Sequence, residues 1–278
     1  MSKLLSANFS RLFKSKIFWA GMIFMFGFAA FLIIMSRIQN GADSSGSREM
    51  DSAVFAGTIL IPVVTAVFSG IFLGTEYSDG TMRNKIIVGH TRASVYLSDL
   101  AVCCAGSLLM NVMFIITIIA LGVPLLGMTA ADTGKMIISF LIISAALCAW
   151  CAVLVFISIL IHSKSAGVVT AIITGFVMMM GAIALYTRYT EPEYYPGDYM
   201  YTDSNGEITS DMVKNPGYLT GTKRKVYKTL LDLIPSGQFM QINQGSLDNE
   251  LLKTLYSMSI IVVFTCGGII LFRKKDLK

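Results

Sequence analysis

The chain has 278 residues, 54% of them hydrophobic and 14% charged, with a mean hydropathy of +0.67. A soluble domain carries about 25% charged residues, so a water-soluble globular protein is excluded. The formal charge of +5 becomes a membrane-topology signal once the basic residues are placed, and not a nucleic-acid surface.

Residues 1–16 open the chain with Leu4, Leu5, Phe9, Leu12 and Phe13 at helical spacing and Lys3, Asn8, Ser10, Arg11 and Lys14 on the other face. This pattern predicts an amphipathic helix lying in a membrane interface. Six charge-free runs follow: Ile17–Ser36, Ala53–Leu73, Leu100–Thr129, Met136–His162, Ala166–Thr187 and Thr254–Phe272. A helix needs about 20 apolar residues to cross a bilayer, and lipid offers the backbone no hydrogen-bond partners, so each run is predicted to be a transmembrane helix. Phe18 and Trp19 mark the headgroup level where the first span starts. The loop Gln39–Ser52 has a flexible composition, Pro62 predicts a kink in the second span, and a tight turn joins the third and fourth spans around Gly127–Gly134. In the fifth span Gly167, Ala171 and Gly175 stand four apart, a spacing that lets helices approach closely.

An even number of spans puts both termini on one side. With that side in the cytoplasm, 12 of the 22 basic residues lie inside with 4 of the 17 acids, against three basic residues in the two short outer loops. This is the positive-inside distribution. The predicted fold is therefore an all-α inner-membrane protein with both termini cytoplasmic. Its parts are an interfacial helix at 1–16, five spans within 17–187 with an inner loop at 74–99, an extracellular segment at 188–253, the last span at 254–272 and a tail at 273–278. The outer segment starts acidic and tyrosine-rich, Glu191 to Tyr201. These tyrosines suit an interfacial belt, the core of a small cap, or a ligand surface. Val226, Leu230, Leu233 and Ile234 predict a helix whose apolar face rests on the outer leaflet.

Catalytic chemistry is not legible. All five cysteines fall in spans, and Cys148-x-x-Cys151 has no polar neighbour in sequence to hold a thiolate. His90 and His162 sit at span edges without paired carboxylates, no Ser–His–Asp set suggests itself at depth, and no phosphate-binding Gly-x-x-x-x-Gly-Lys-Ser/Thr loop occurs. The spans carry no ionisable group of the kind ion-coupled carriers use at depth.

The loop Gly74-Thr75-Glu76-Tyr77-Ser78-Asp79-Gly80-Thr81-Met82-Arg83-Asn84-Lys85 is the most informative stretch. Asp79-Gly80 is a turn, Thr81 a cap for a short helix reaching about Val88, Gly89 its breaker, and Thr91 the cap of the next helix. The loop reads as polar and surface-lying, so truncating Glu76 or Arg83 should leave the fold intact.

Glu76-x-x-x-Gly80-Thr81-x-Arg83 followed by Thr91-Arg92 resembles the loop after the second span of type-2 ABC exporter permeases, and Leu231-Asp232-Leu233-Ile234-Pro235-Ser236-Gly237-Gln238 before the last span is also similar to that family. One departure is Asp99, where a lysine is common. The resemblance implies two permease chains (a homodimer or heterodimer) and an ATP-binding cassette ATPase beneath them. No cofactor is implied in this chain, ATP and Mg being held by the partner. It also implies an ATPase-coupling contact at Glu76, Tyr77, Asp79, Gly80, Thr81 and Arg83, with Arg92 at the membrane edge. The implied cargo is amphipathic, a peptide antibiotic or a lipid-like molecule. An ion-coupled carrier and a non-transporting scaffold or sensor subunit are the competing readings.

Overall fold

The computed structural model describes all residues except 41–45, 127–132, 162–163, 203–207, 247 and 275–278. A short helix α1 (Ser2–Lys14) precedes the long helices α2 (Lys16–Asn40) and α3 (Gly46–Ser78), and the short α4 (Thr81–Ile87) leads to α5 (Arg92–Leu126), α6 (Thr133–Leu160) and α7 (Lys164–Thr190). A hairpin of β1 (Tyr194–Thr202) and β2 (Ile208–Lys214), two short helices α8 (Gly221–Leu233) and α9 (Pro235–Asn243), and α10 (Glu250–Lys274) complete the chain. Among the described residues six helices, α2, α3, α5, α6, α7 and α10, are long and apolar enough to cross a membrane.

These helices run past the charge-free segments that predict them. α3 absorbs part of the expected outer loop and continues through Glu76 to Ser78, and α5 begins at Arg92, eight residues before the apolar run. Backbone hydrogen bonding continues beyond the hydrocarbon boundary wherever capping residues do not stop it. Residues 41–45 of the first outer loop and most of the second lie outside the described residues.

α6 is the central helix. It is strongly apolar, and Ile142, Ala146, Leu147, Ala149, Trp150, Cys151, Leu154 and Val155 are buried, while Ile137, Leu141 and Leu160 stay exposed. By contrast α2, α7 and α10 present apolar side chains outward, among them Ile23, Phe31, Ile173, Phe176, Val262 and Val263, a surface suited to lipid. Between α3 and α7 the backbones come close at Gly70, where an added Cβ would meet the Val168 Cα at 3.0 Å and the Ala171 Cβ at 3.3 Å. Ala171 is fully buried in this seam, and Gly175 faces Trp150 and Ala66. A Cβ on Gly167 would meet nothing within 4 Å, but its carbonyl lies against Gly70. Beside the seam the Trp150 indole donates to the Pro62 carbonyl at 3.0 Å, tying α6 to the proline turn of α3.

The segment before the last span differs from expectation. Its tyrosine-rich start is a strand, paired antiparallel to β2 from Tyr194↔Lys214 to Thr202↔Ile208 with an irregularity between Pro196 and Met200. Tyr194 and Tyr195 are exposed, not a cap core. On α8, Val226 and Leu230 face outward, and Leu231 and Asp232 are the buried residues. α9 inserts against α3, α6 and α7: Thr58 donates to the Phe239 carbonyl and Ser236 to that of Met178.

Gln238 knots this corner. Its amide donates to the Asp232 carbonyl at 2.7 Å and the Lys253 carbonyl at 3.0 Å, and accepts from Ser257 at 3.0 Å. Gly237 fits because a Cβ there would lie 2.4 Å from the Leu231 carbonyl oxygen. Gln238→Leu is therefore expected to destabilise the protein by about 2 kcal/mol, three interhelical hydrogen bonds at ~0.6 kcal/mol each. A thermal melt in detergent checks this, and an unchanged midpoint would show that the amide does not hold the corner.

Candidate functional site: a charged cluster under an exposed turn

Arg92 places the two ends of the bundle. Its guanidinium donates to the Phe272 carbonyl at 2.8 Å and the Arg273 carbonyl at 3.0 Å, capping the C-terminus of α10 with a cation. The start of α5, the end of α10, the α3–α4 turn and α1 therefore share one end.

At that end α3 closes at Ser78, and Gly80, with φ +66°, makes the turn into α4. A β-branched residue opposes this left-handed conformation. Thr81 does not cap α4 as expected; its hydroxyl donates back to the Glu76 carbonyl at 3.1 Å, closing α3. Gly89, with φ +98°, ends the short helix, and the Thr91 hydroxyl accepts the Ser94 N–H at 3.2 Å at the start of α5.

Beneath this turn four elements meet through charge. The Glu76 carboxylate is fully buried and ion-paired to Lys85 of α4 at 2.7 Å and to Arg11 of α1. Lys85 also reaches Asp99 of α5 at 3.3 Å. Asn8 of α1 donates to Asp99 at 2.8 Å and to the Ser98 hydroxyl at 2.9 Å. The Arg11 guanidinium lies 3.9 Å over the Phe72 ring and donates to the Phe72 carbonyl. Two carboxylates face two cations, so the cluster is internally neutral. Burial lowers the affinity of both Lys85 and Arg11 for their protons, and the charge of Asp99 opposes that shift in each.

The structure thus separates the seven residues expected to form one contact. Glu76 is 1% exposed and Tyr77 largely covered, so Glu76 faces the protein interior and not a partner. Asp79 and Arg83 are exposed, Gly80 and Thr81 half-buried at the turn, and Arg92 half-buried against α10. The expectation of a wholly surface-lying loop is corrected at Glu76, whose Oε1 is paired with both Arg11 and Lys85. Glu76 and Asp99 lie on the ends of α3 and α5 that extend past the charge-free runs, and both are buried, as is Lys253 at the start of α10. On α1, Asn8 belongs with Leu4 and Leu12 on the buried face, not on the solvated one.

Two residues not singled out from sequence, Ile87 and Val88, are 70% and 79% exposed at the end of α4. With Asp79, Arg83 and Asn84 they form an exposed face carrying charge, amide and hydrocarbon, and Met82 anchors the opposite side of α4 in the core. Their signal in the sequence is an apolar pair, Ile87-Val88, directly before the helix-ending Gly89. Among the described residues no group of three His, Cys, Asp or Glu side chains is placed to hold a metal ion.

Residues 4–181 match the family model described as ABC-2 family transporter protein. No curated protein matches the chain significantly. The matched stretch takes in α1 from Leu4 onward, the whole charged cluster and the exposed turn, and it ends within α7.

Proposed function

This chain belongs to the ABC-2 transporter family, and from that membership we propose that it drives the outward movement of an amphipathic molecule, a peptide antibiotic or a lipid-like compound, with energy supplied by a separate ATPase chain. Membership makes it a multi-pass membrane permease subunit of an ABC transporter, and the family implies association with an ATP-binding cassette subunit. In our reading both termini and the α3–α4 turn face the cytoplasm, α1 lies in the inner interface, residues 188–253 are outside, and two permease chains pair. The partner ATPase holds ATP and Mg.

The observation that carries this reading is the exposed face of Asp79, Arg83, Asn84, Ile87 and Val88 lying directly over the buried cluster of Glu76, Lys85, Asp99 and Arg11. A partner gripping α4 from below pushes on an element whose Lys85 is already paired to α3 and α5, while α1 joins through Arg11 and Asn8. The displacement then reaches three helices together. Nucleotide shifts the permease between states only as far as the ATPase binds one state more tightly than the other.

Labelling in intact cells tests the orientation. A cysteine replacing the exposed Tyr194 is expected to react with a membrane-impermeant maleimide before lysis, and one replacing Arg83 only after it. The reverse pattern would place the coupling face outside and overturn the mechanism. Co-purification with an ATP-binding cassette chain separates the permease from a carrier or scaffold.

A further inference from the structure

One groove carries a polar group with nothing to bond. It lies between α3, α5 and α6, holds about 370 Å³, and is walled mainly by Ile115, Ile116, Ile119, Ile137 and Phe140. Ile116, Ile119 and Ile137 are also exposed, so the groove opens on the apolar flank of the bundle. Three hydrogen-bonding side chains line it. The Thr58 hydroxyl is spent on the Phe239 carbonyl and that of Ser139 on the Lys135 carbonyl. The third, Asn111, is 4% exposed, and its amide nitrogen has no partner.

An unsatisfied amide is costly away from water, and most costly in hydrocarbon, where no solvent can relieve it. Leucine at this position would fill the same space without that penalty, so the amide is explained by something that enters the groove. Its depth restricts what that is. The groove runs from Ile119 and Met136, beside the charged Lys135, to Asn111 and Ile143. Eight residues of α5 separate Ile119 from Asn111, about 12 Å at 1.5 Å per residue. The ester groups of ordinary bilayer lipids lie at the boundary of a hydrocarbon core about 30 Å thick, and so do not reach that level.

We propose that this groove binds an amphiphile that combines a hydrocarbon chain with an amide carbonyl, such as an acylated or strongly apolar peptide. The carbonyl accepts a hydrogen bond from the Asn111 amide once its terminal group, whose nitrogen is now turned inward, rotates toward the groove, and the chain lies along Ile115, Ile119 and Ile137. The proposal deepens the exporter reading and rests on it for the identification of the occupant as cargo. Binding is measured without ATPase or nucleotide, so its failure is distinct from failure of the coupling mechanism.

The test uses the full chain in phosphatidylglycerol nanodiscs and two diazirine photoprobes, N-dodecanoyl-leucyl-leucine amide and an alkane of equal length. The readout is labelling of α5 and α6 peptides relative to the lipid-facing Ile172–Phe176 stretch of α7. Asn111→Leu is expected to reduce the ratio at least fivefold for the amide probe and leave it unchanged for the alkane. Ile115→Trp, which fills the groove, is expected to reduce both. Asn111→Leu is expected to melt no lower than the wild type. Equal labelling of wild type and Asn111→Leu by the amide probe overturns the proposal. So does a lowered melting point in Asn111→Leu, which would reveal a structural partner for the amide. A disulfide joining two Ile137→Cys chains would also overturn it, since a second copy would then cover the groove.

Discussion

Glu76→Ala is expected to lower the stability of the protein by about 3 kcal/mol. Removing one partner from a buried ion pair leaves an uncompensated charge and costs about 3–5 kcal/mol. The lower end applies because Lys85 keeps Asp99 and Arg11 keeps the Phe72 carbonyl and ring. Membrane yield and thermal melting in detergent measure the loss. A Glu76→Ala protein that melts within about 0.5 kcal/mol of the wild type, the range of an ordinary surface substitution, would show that the cluster does not hold α1, α3, α4 and α5 together.

The opposite outcome is expected one turn away. Arg83→Glu combined with Val88→Asp touches only exposed side chains and should leave the fold within about 0.5 kcal/mol of the wild type. At an interface, losing one partner of a desolvated charge pair costs about 2–5 kcal/mol, which is roughly a 30-fold to several-thousand-fold loss of affinity. The ATPase chain is therefore expected to dissociate from a normally folded permease, as read by co-purification and by cargo protection of whole cells. Retained association and transport would make the exposed turn a connector only. Contrasting these two variants separates fold from coupling, which a single substitution in the loop does not.

The six spans were legible because hydrophobicity is a property of a contiguous stretch of chain. The turn was legible for a similar reason: Asp79-Gly80 and Gly89 are local requirements of the backbone, met by φ +66° and +98° at the two glycines. Glu76 was misread because its partners are remote. Arg11 lies 65 positions away, Lys85 is reachable only once the chain turns at Gly80, and Asn8 finds Ser98 across 90 residues. Polarity alone assigns Asn8 to the solvated face, although its spacing of four from both Leu4 and Leu12 puts it on the buried one, where a polar group needs only a partner. Asp99 was visible as a departure from its resembled family, and its meaning became clear from Lys85 and Asn8 beside it. The hairpin was a missed reading. Asn205-Gly206 stands between a tyrosine run and Ile208-Thr209, a strong short-range hairpin pattern in the sequence.

The contact between Trp150 and the Pro62 carbonyl gives the molecule an intrinsic optical gauge. The chain has two tryptophans, and Trp19 lies half-exposed near the start of α2. Exchanging Trp19 for phenylalanine leaves one indole, seated where α6 meets the turn of α3 around proline. Indole emission responds to the polarity and hydrogen bonding of its surroundings, so its wavelength reports whether the bond to the Pro62 carbonyl is kept. Any movement that parts α3 from α6 at this point is then visible in real time in the purified, unlabelled chain.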